Sequence, residues 1–412
     1  MAQKHILIIC GEASGDLHAA NLAKALKELN PELKISGVGG PLMLNAGAQI
    51  YCDIKGLAVI GFFDVLKKLP KFFYLKRLIL EKIKTEKPDA IILVDFSGFN
   101  LRLAKAINPS TTLCFDKLSI RPEQAKRVEG LRIDGEPSRT INKTIPIIYY
   151  ISPQVWASRQ GRVKTIKEYI HKMIVFFKFE EEFYRRYGIN VDFVGHPLLD
   201  IVRPTMNARK FLTKFNLSES KTTIALLPGS RRAEIENILP IMLKASILIN
   251  KKIKNSQFVI VKSPQVEWNI YNRIIHGLDI ELEIIEDKTY DCLNIADFCL
   301  VASGTATLET AIMQKPFVVI YRMSPLNYFL YRPQVKLAFI GMVNIVAGRK
   351  TVPEFIQYQA TPKNISERVL EILQNPSEIE RMKNDLTLVK SSLGEKGASS
   401  RAARIIVDFL NK

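Results

Sequence analysis

Short apolar runs at residues 5–10, 90–94, 145–151, 174–177 and 191–194 alternate with stretches in which apolar residues recur at helical spacing. In the first such stretch Leu22, Leu26 and Leu29, backed by Ala19 and Ala23, follow a period of about 3.6. Strands that alternate with helices need crossover connections, so they pair in parallel and form a sheet covered on both faces. A second series of apolar runs begins near residue 222, at 223–227, 257–261, 282–285, 297–301 and 316–321. The pattern predicts an α/β chain of two Rossmann-like, doubly wound domains facing each other across a cleft, with ligands at the carboxyl ends of the strands. The expected divisions are 1–200, 201–365 and a polar helical tail, 366–412, packing across the junction. Residues 108–143 break the pattern with crowded charge, proline and glycine and no convincing strand, and read as a surface insertion.

Length agrees with two domains, because 412 residues exceed the roughly 100–200 that one core usually holds. Hydrophobic content of 47% and charged content of 24% suit a chain that buries a substantial core. The balance of 59 Lys and Arg against 41 Asp and Glu leaves a net charge of +18, which favours an anionic partner. A Lys/Asn/Ile-rich composition raises the basic count with no function attached, so charge alone selects no partner. Five cysteines without a CxxC pair indicate neither a disulfide framework nor a zinc ribbon, and fit a reducing cytosol. The N-terminal apolar run is too short for a signal peptide core and no long uncharged apolar stretch follows, so the chain is expected to be neither exported nor membrane-spanning.

Four loops carry the candidate chemistry. In "GEASGD" (11–16) the spacing fails the G-x-S-x-G nucleophile elbow. It allows a tight turn at Gly11 and Gly15, with Ser14 or Asp16 capping a helix whose free N–H groups bind a hydroxyl or phosphate, and Glu12 beside them. In "LLPGSRRAEI" (226–235) Gly229 permits close backbone approach, Ser230 can donate, and Arg231 and Arg232 add positive charge. No GxxxxGK[ST] exists, so this is not a P-loop. "SGTATLE" (303–309) supplies Ser303, Gly304, Thr305 and Thr307 for a pyrophosphate and Glu309 for ribose hydroxyls. Asp95 ends the run "AIILVDFSGFN", where a carboxylate either acts as a general base or braces the turn. His196, before Pro197, is a ligand contact or a turn residue. No cluster among the five His resembles a metal site, so no metal is expected. In the stretch 57–84, Phe62, Phe63, Leu66, Leu69, Phe72 and Phe73 are interleaved with Lys67, Lys68, Lys71 and Lys76, and Pro70 divides two helical pieces. That composition suits either core helices with solvated lysines or an anionic bilayer interface. Nucleic acid is not expected, since no recognition module accompanies the charge.

Taken in order, "GEASGD", "GVGGPLM", "VDFSGFN", "YYISPQVWASRQGRV", "FVGHPLLD", "LLPGSRRAEI", "VASGTATLE", "VVIYRMSPL" and "VNIVAGRKTVPEFIQ" resemble the lipid-A-disaccharide synthases, glycosyltransferases of lipopolysaccharide biosynthesis. The resemblance implies a GT-B architecture and no cofactor. It implies an N-terminal acceptor and membrane-contact domain and a C-terminal UDP-sugar domain. The implied reaction is inverting transfer from UDP-2,3-diacylglucosamine to the 6-hydroxyl of 2,3-diacylglucosamine 1-phosphate (lipid X), giving the β-1,6 disaccharide 1-phosphate and UDP. Under it Asp95 is the essential carboxylate, Glu12, Ser14, Gly15, Asp16 and His196 lie on the acceptor side, and Gly229, Ser230, Arg231, Ser303, Gly304, Thr305, Thr307, Glu309, Asn344 and Arg349 bind UDP. It implies a peripheral protein on the cytoplasmic face of the inner membrane, meeting anionic lipid through 57–84, with homodimerisation open. Ser97-Gly98 stands where many relatives carry Pro-Asp, Ser158 interrupts Trp-Ala-Trp, and Lys350 follows Arg349 where an acid is common. Two other readings stay open: another GT-B enzyme acting on a UDP-sugar, and a catalytically inactive, membrane-associated nucleotide-binding module.

Overall fold

Two parallel sheets organise the chain in a computed structural model that describes residues 3–55, 62–108, 145–278, 280–325, 328–329 and 337–411, with side chains of 62–69 excepted. The chain divides into two compact units. The first comprises Met1–Val175, Glu180–Val194 and Ser399–Lys412, and the second Phe176–Phe179 and Gly195–Ala398.

The first unit is built on β1 (His5–Ile9), β2 (Lys34–Gly39), β3 (Gln49–Asp53), β4 (Ala90–Val94), β5 (Ile147–Tyr150), β6 (Lys172–Val175) and β7 (Asp192–Phe193). Their spatial order is β3-β2-β1-β4-β5-β6-β7, and every pair is parallel. The second unit holds β8 (Thr222–Leu227), β9 (Ser256–Lys262), β10 (Leu282–Glu286), β11 (Phe298–Ala302), β12 (Phe317–Tyr321) and β13 (Glu354–Ile356). They are ordered β10-β9-β8-β11-β12-β13, again all parallel. The central strands β1, β4, β9 and β11 are buried at every residue. Helices cover both faces of such a sheet, which is why these strands read as unbroken aliphatic runs instead of alternating ones.

Three strands escape the hydrophobic pattern. β2, "KISGVG", is not among the predicted apolar runs because glycines interrupt it, and a Cβ on Gly37 would sit 1.7 Å from the Ile8 carbonyl oxygen. That glycine lets β2 close on β1, opposite Ile8, while the pairing of β2 with β3 on its other edge shifts register between Gly37 and Val38. β3 and β13 are short edge strands with mixed polarity. In the helix Ala13–Leu29, Leu22 and Leu26 are buried, but Leu29 is 45% exposed, at the last turn.

Residues Phe62–Glu86 form one helix with Pro70 inside it, not two pieces. A proline removes one backbone donor and strains one turn, and the flanking turns hold the helix through it. The expected 108–143 insertion lies, from residue 109 on, outside the described residues. The tail is shared out: the helices Pro362–Leu373 and Pro376–Ser392 stay with the second unit, while residues 399–412 belong to the first. There Arg401 donates to the Val194 carbonyl at 2.9 and 2.7 Å, and Lys4 Nζ to the Leu410 carbonyl at 3.1 Å. No helix among the described residues is long and apolar enough to cross a membrane.

Candidate active site

In each sheet the strand order reverses between two neighbours, β1 and β4 in the first unit and β8 and β11 in the second. Loops leaving the carboxyl ends of such strands splay apart and open a crevice. "GEASGD" follows β1, "DFSGFN" follows β4, "PGSRR" follows β8 and "SGTATLE" follows β11. All four loops singled out from the sequence therefore border a switch point.

Asp95 leaves β4 with φ 46° and Phe96 follows with φ 47°. Two successive left-handed residues with side chains cost about 1–2 kcal/mol each, so the surroundings must impose them. The Asp95 N–H donates to the Tyr150 carbonyl at 3.3 Å. Its own carbonyl accepts from the Tyr149 hydroxyl at 2.6 Å and from Asn100 Nδ2 at 2.9 Å. The Phe96 ring lies where a Cβ on Gly11 would be, 2.3 Å away, and packs against Phe99 at 5.3 Å and Phe72 at 5.9 Å between centroids. Phe72 is thus half-buried in an aromatic cluster beside Asp95, while its neighbour Phe73 is 69% exposed. Lys76 is half-buried, and the side chains of Phe62, Phe63, Leu66 and Leu69 lie outside the described residues. Burial first, and the charge of Glu12 second, push the Asp95 carboxyl up to about 6, against a smaller downward pull from the Phe96 amide. A carboxylate of that strength takes a proton readily near neutral pH.

The helix after β1 starts differently from expectation. Glu12, in extended conformation, is its N-cap, and no side chain bonds the first amides. Ser14 is exposed inside the first turn, and Gly15 is buried where an added Cβ would sit 3.2 Å from Cys10 Cβ. Asp16 does not cap this helix. Its buried carboxylate accepts from the amides of Gly40 (2.7 Å), Leu42 (3.0 Å) and Met43 (3.2 Å), pinning "GGPLM" beside the site. His196 is buried against Phe176 and Phe177, with Nδ1 accepting from the Leu198 amide at 3.2 Å.

In the second unit Gly229 takes φ 111°, and a Cβ there would strike Glu234. Glu234 Oε2 accepts from the Ser230 amide at 3.1 Å and the Arg231 amide at 3.4 Å, so a capping box already occupies these donors. The exposed Arg231 and Arg232 guanidiniums remain on the rim, paired with Glu234 and Glu236 at the surface. At the other loop Gly304 and Thr305 are exposed, and no side chain caps the helix Ala306–Ile312. Ser303 Oγ donates to the Ile340 carbonyl (3.1 Å) and Thr307 Oγ1 to the Gly304 carbonyl (2.8 Å). Glu309 accepts from the Tyr290 hydroxyl at 3.0 Å, and burial raises its pKa.

Asn344 and Arg349 hold structure. Asn344 is buried, donating to the Val352 carbonyl and Glu354 and accepting from the amides of Thr351 and Val352. Arg349 pairs with Asp385 at 2.6 Å. Tyr149, Asn100, Glu234 and Tyr290 were not anticipated; each acts through a partner remote in sequence or through a cap that needs coordinates to be seen. Among the described residues no group of His, Cys, Asp or Glu could hold a metal ion.

Two Rossmann-like units of this kind define the GT-B class. The fold matches the calicheamicin glycosyltransferase CalG4 with TM-score 0.58 at 15% identity, covering 100% of this chain and 99% of that one. It matches the S. aureus MnaA–UDP structure with TM-score 0.63 at 16% identity, covering 99% and 97%. Sequence narrows the class: a family model described as lipid-A-disaccharide synthetase matches residues 6–112 and 137–407. A lipid-A-disaccharide synthase from Syntrophus aciditrophicus is 37% identical, covering 100% of this chain and 99% of that protein. The chain belongs to the lipid-A-disaccharide synthase family. Full-length identity at that level, against 15–16% for the solved structures, does not favour the reading as another GT-B enzyme or as an inactive binding module.

Proposed function

We propose that this chain makes the lipid A disaccharide by inverting transfer, with Asp95 as the base. The acceptor 6-hydroxyl oxygen bonds to the anomeric carbon of UDP-2,3-diacylglucosamine as the bond from that carbon to the UDP oxygen breaks. The hydroxyl proton passes to Asp95, and UDP departs with the electron pair. The observation carrying this reading is a carboxyl raised to about 6 and fixed on a strained turn at the end of a switch-point strand. Strain and desolvation both cost stability, and such costs gather where function uses them.

Arg231, Gly304, Thr305 and Glu309 are the donor side, with the open amides of the helix Ala306–Ile312 toward the diphosphate. Gly229, Ser230, Ser303 and Thr307 shape the donor loops through the contacts described above, while Asn344 and Arg349 brace the fold at Thr351 and Asp385. On the acceptor side Glu12, Ser14 and Gly15 line the loop after β1, while Asp16 acts by positioning; His196, expected there, belongs to the second unit, packed on Phe176 and Phe177.

Phe73 and Tyr74, both exposed, stand beside Lys76 and Arg77 on the helix Phe62–Glu86. They suit the anionic cytoplasmic face of the inner membrane, where acyl substrates reside. The test is purified protein with both acylated substrates in detergent. UDP release with stoichiometric disaccharide is expected; bound UDP without product would overturn the reading.

A further inference from the structure

One guanidinium, that of Arg162, reaches the residue two beyond Asp95, the charges of Arg159 and Arg102 act on it, and none of the three has a carboxylate partner among the described residues. Arg162, half-buried at the start of the helix Arg162–Tyr169, donates from Nη1 to Ser97 Oγ at 3.3 Å. Ser97 opens the helix Ser97–Ile107, whose first amides no side chain caps. Arg159 sits in the left-handed region at φ 55°, and its carbonyl accepts from the Arg162 amide at 3.0 Å, so the two residues share one turn of backbone. Arg102 projects from the exposed face of the helix Ser97–Ile107. Burial first, and the charges of Arg159 and then Arg102 after it, lower the pKa of Arg162, while the neighbouring Tyr149 acts in the opposite sense. Elsewhere the guanidiniums of Arg349, Arg368 and Arg381 are matched to acids.

Like charges held together repel unless an anion joins them, and guanidinium forks match a phosphate through paired hydrogen bonds. We propose that Arg162, Arg159 and Arg102, with the Ser97 hydroxyl, form a phosphate-monoester site that takes the 1-phosphate of the acceptor. The proposal rests on the acceptor assignment made above. It also follows the acceptor's own dimensions: its phosphate and its reacting hydroxyl stand at two ends of a single sugar ring. A site for one must lie one ring's length from the site for the other, and Ser97 is two residues from Asp95. The cluster then holds the acceptor by its phosphate and rejects an acceptor lacking it, whose binding would leave the three cations unneutralised.

The probes are glucosamine 1-phosphate, inorganic phosphate and unphosphorylated glucosamine, titrated calorimetrically into the full chain at low salt. Glucosamine 1-phosphate and inorganic phosphate are expected to bind, more weakly as salt rises, and glucosamine is not. Arg162→Ala should weaken glucosamine 1-phosphate at least about tenfold, and the exposed double variant Arg102→Gln/Arg159→Gln, which removes no core contact, should do likewise. UDP affinity should stay within about twofold in both. With the acylated acceptor, the double variant should raise KM while kcat changes little. Unchanged affinity for glucosamine 1-phosphate in the double variant, or equal binding of glucosamine, overturns the site even if disaccharide still forms. Arginine-dependent phosphate binding without any disaccharide leaves the site standing and removes the transferase reading instead.

Discussion

Replacing Asp95 with Asn should make the first unit more stable and the enzyme far slower, with both effects tied to one ionisation. The carboxyl rises from 3.8 to about 6, and at about 1.4 kcal/mol per pH unit ionising it in the folded protein costs about 3 kcal/mol. A raised acid binds its proton more tightly folded than unfolded, so this cost is absent below pH 4, grows between pH 4 and 6, and is complete above 6. Asp95→Asn keeps an acceptor for the Phe96 amide and removes the charge, so at pH 8 the variant should be more stable by up to about 3 kcal/mol. Near pH 4 the two proteins should coincide. Trp156 lies in the first unit and Trp268 in the second, so urea unfolding in a Trp268→Phe background reads the first unit alone. In the same preparations kcat should fall about 10²- to 10⁴-fold, and the wild-type acidic limb should have its midpoint near pH 6. A variant no more stable at pH 8, or a stability gain unaltered at pH 4, would refute the desolvation account of Asp95. Near-normal turnover would remove it from the base role.

Gly37→Ala should destabilise the first unit by about 3 kcal/mol or more, because its Cβ meets backbone and not a side chain that can swing away; a urea midpoint near wild type would contradict the close approach of β2 to β1. Asn344→Ala should cost about 3 kcal/mol, since it leaves buried partners unmet, while UDP affinity measured below the unfolding transition stays within about twofold; a selective loss of UDP binding would return Asn344 to direct contact. Phe73→Ser with Tyr74→Ser should lower sedimentation with anionic vesicles and leave detergent-phase turnover intact, whereas Phe72→Ser, in the aromatic cluster, should reduce turnover in detergent as well. Unchanged sedimentation of the exposed pair would take the helix out of the membrane contact.

The alternation of aliphatic runs with helical periods determined two parallel sheets, because a strand buried on both faces must be apolar throughout and a covering helix must show one stripe. The order of the nine motifs determined the family, and the position of four of them after apolar runs placed them at strand ends. Asp95 was legible for the same reason. What periodicity could not show is how a polar side chain is used. Asp16, Asn344, Arg349 and Glu234 all looked available for a ligand or went unnoticed, and folding supplies partners at Gly40, Thr351, Asp385 and Ser230. The glycine-bearing β2 was hidden because its rule is contact with the Ile8 backbone, not hydrophobicity. Arg162 comes beside Ser97 and under the charge of Arg102 only when the helix Arg162–Tyr169 packs on the helix Ser97–Ile107. Apolar burial follows a local repeat and is written along the chain, whereas hydrogen bonds and charge neighbours join residues far apart in it, and only the tertiary structure decides which.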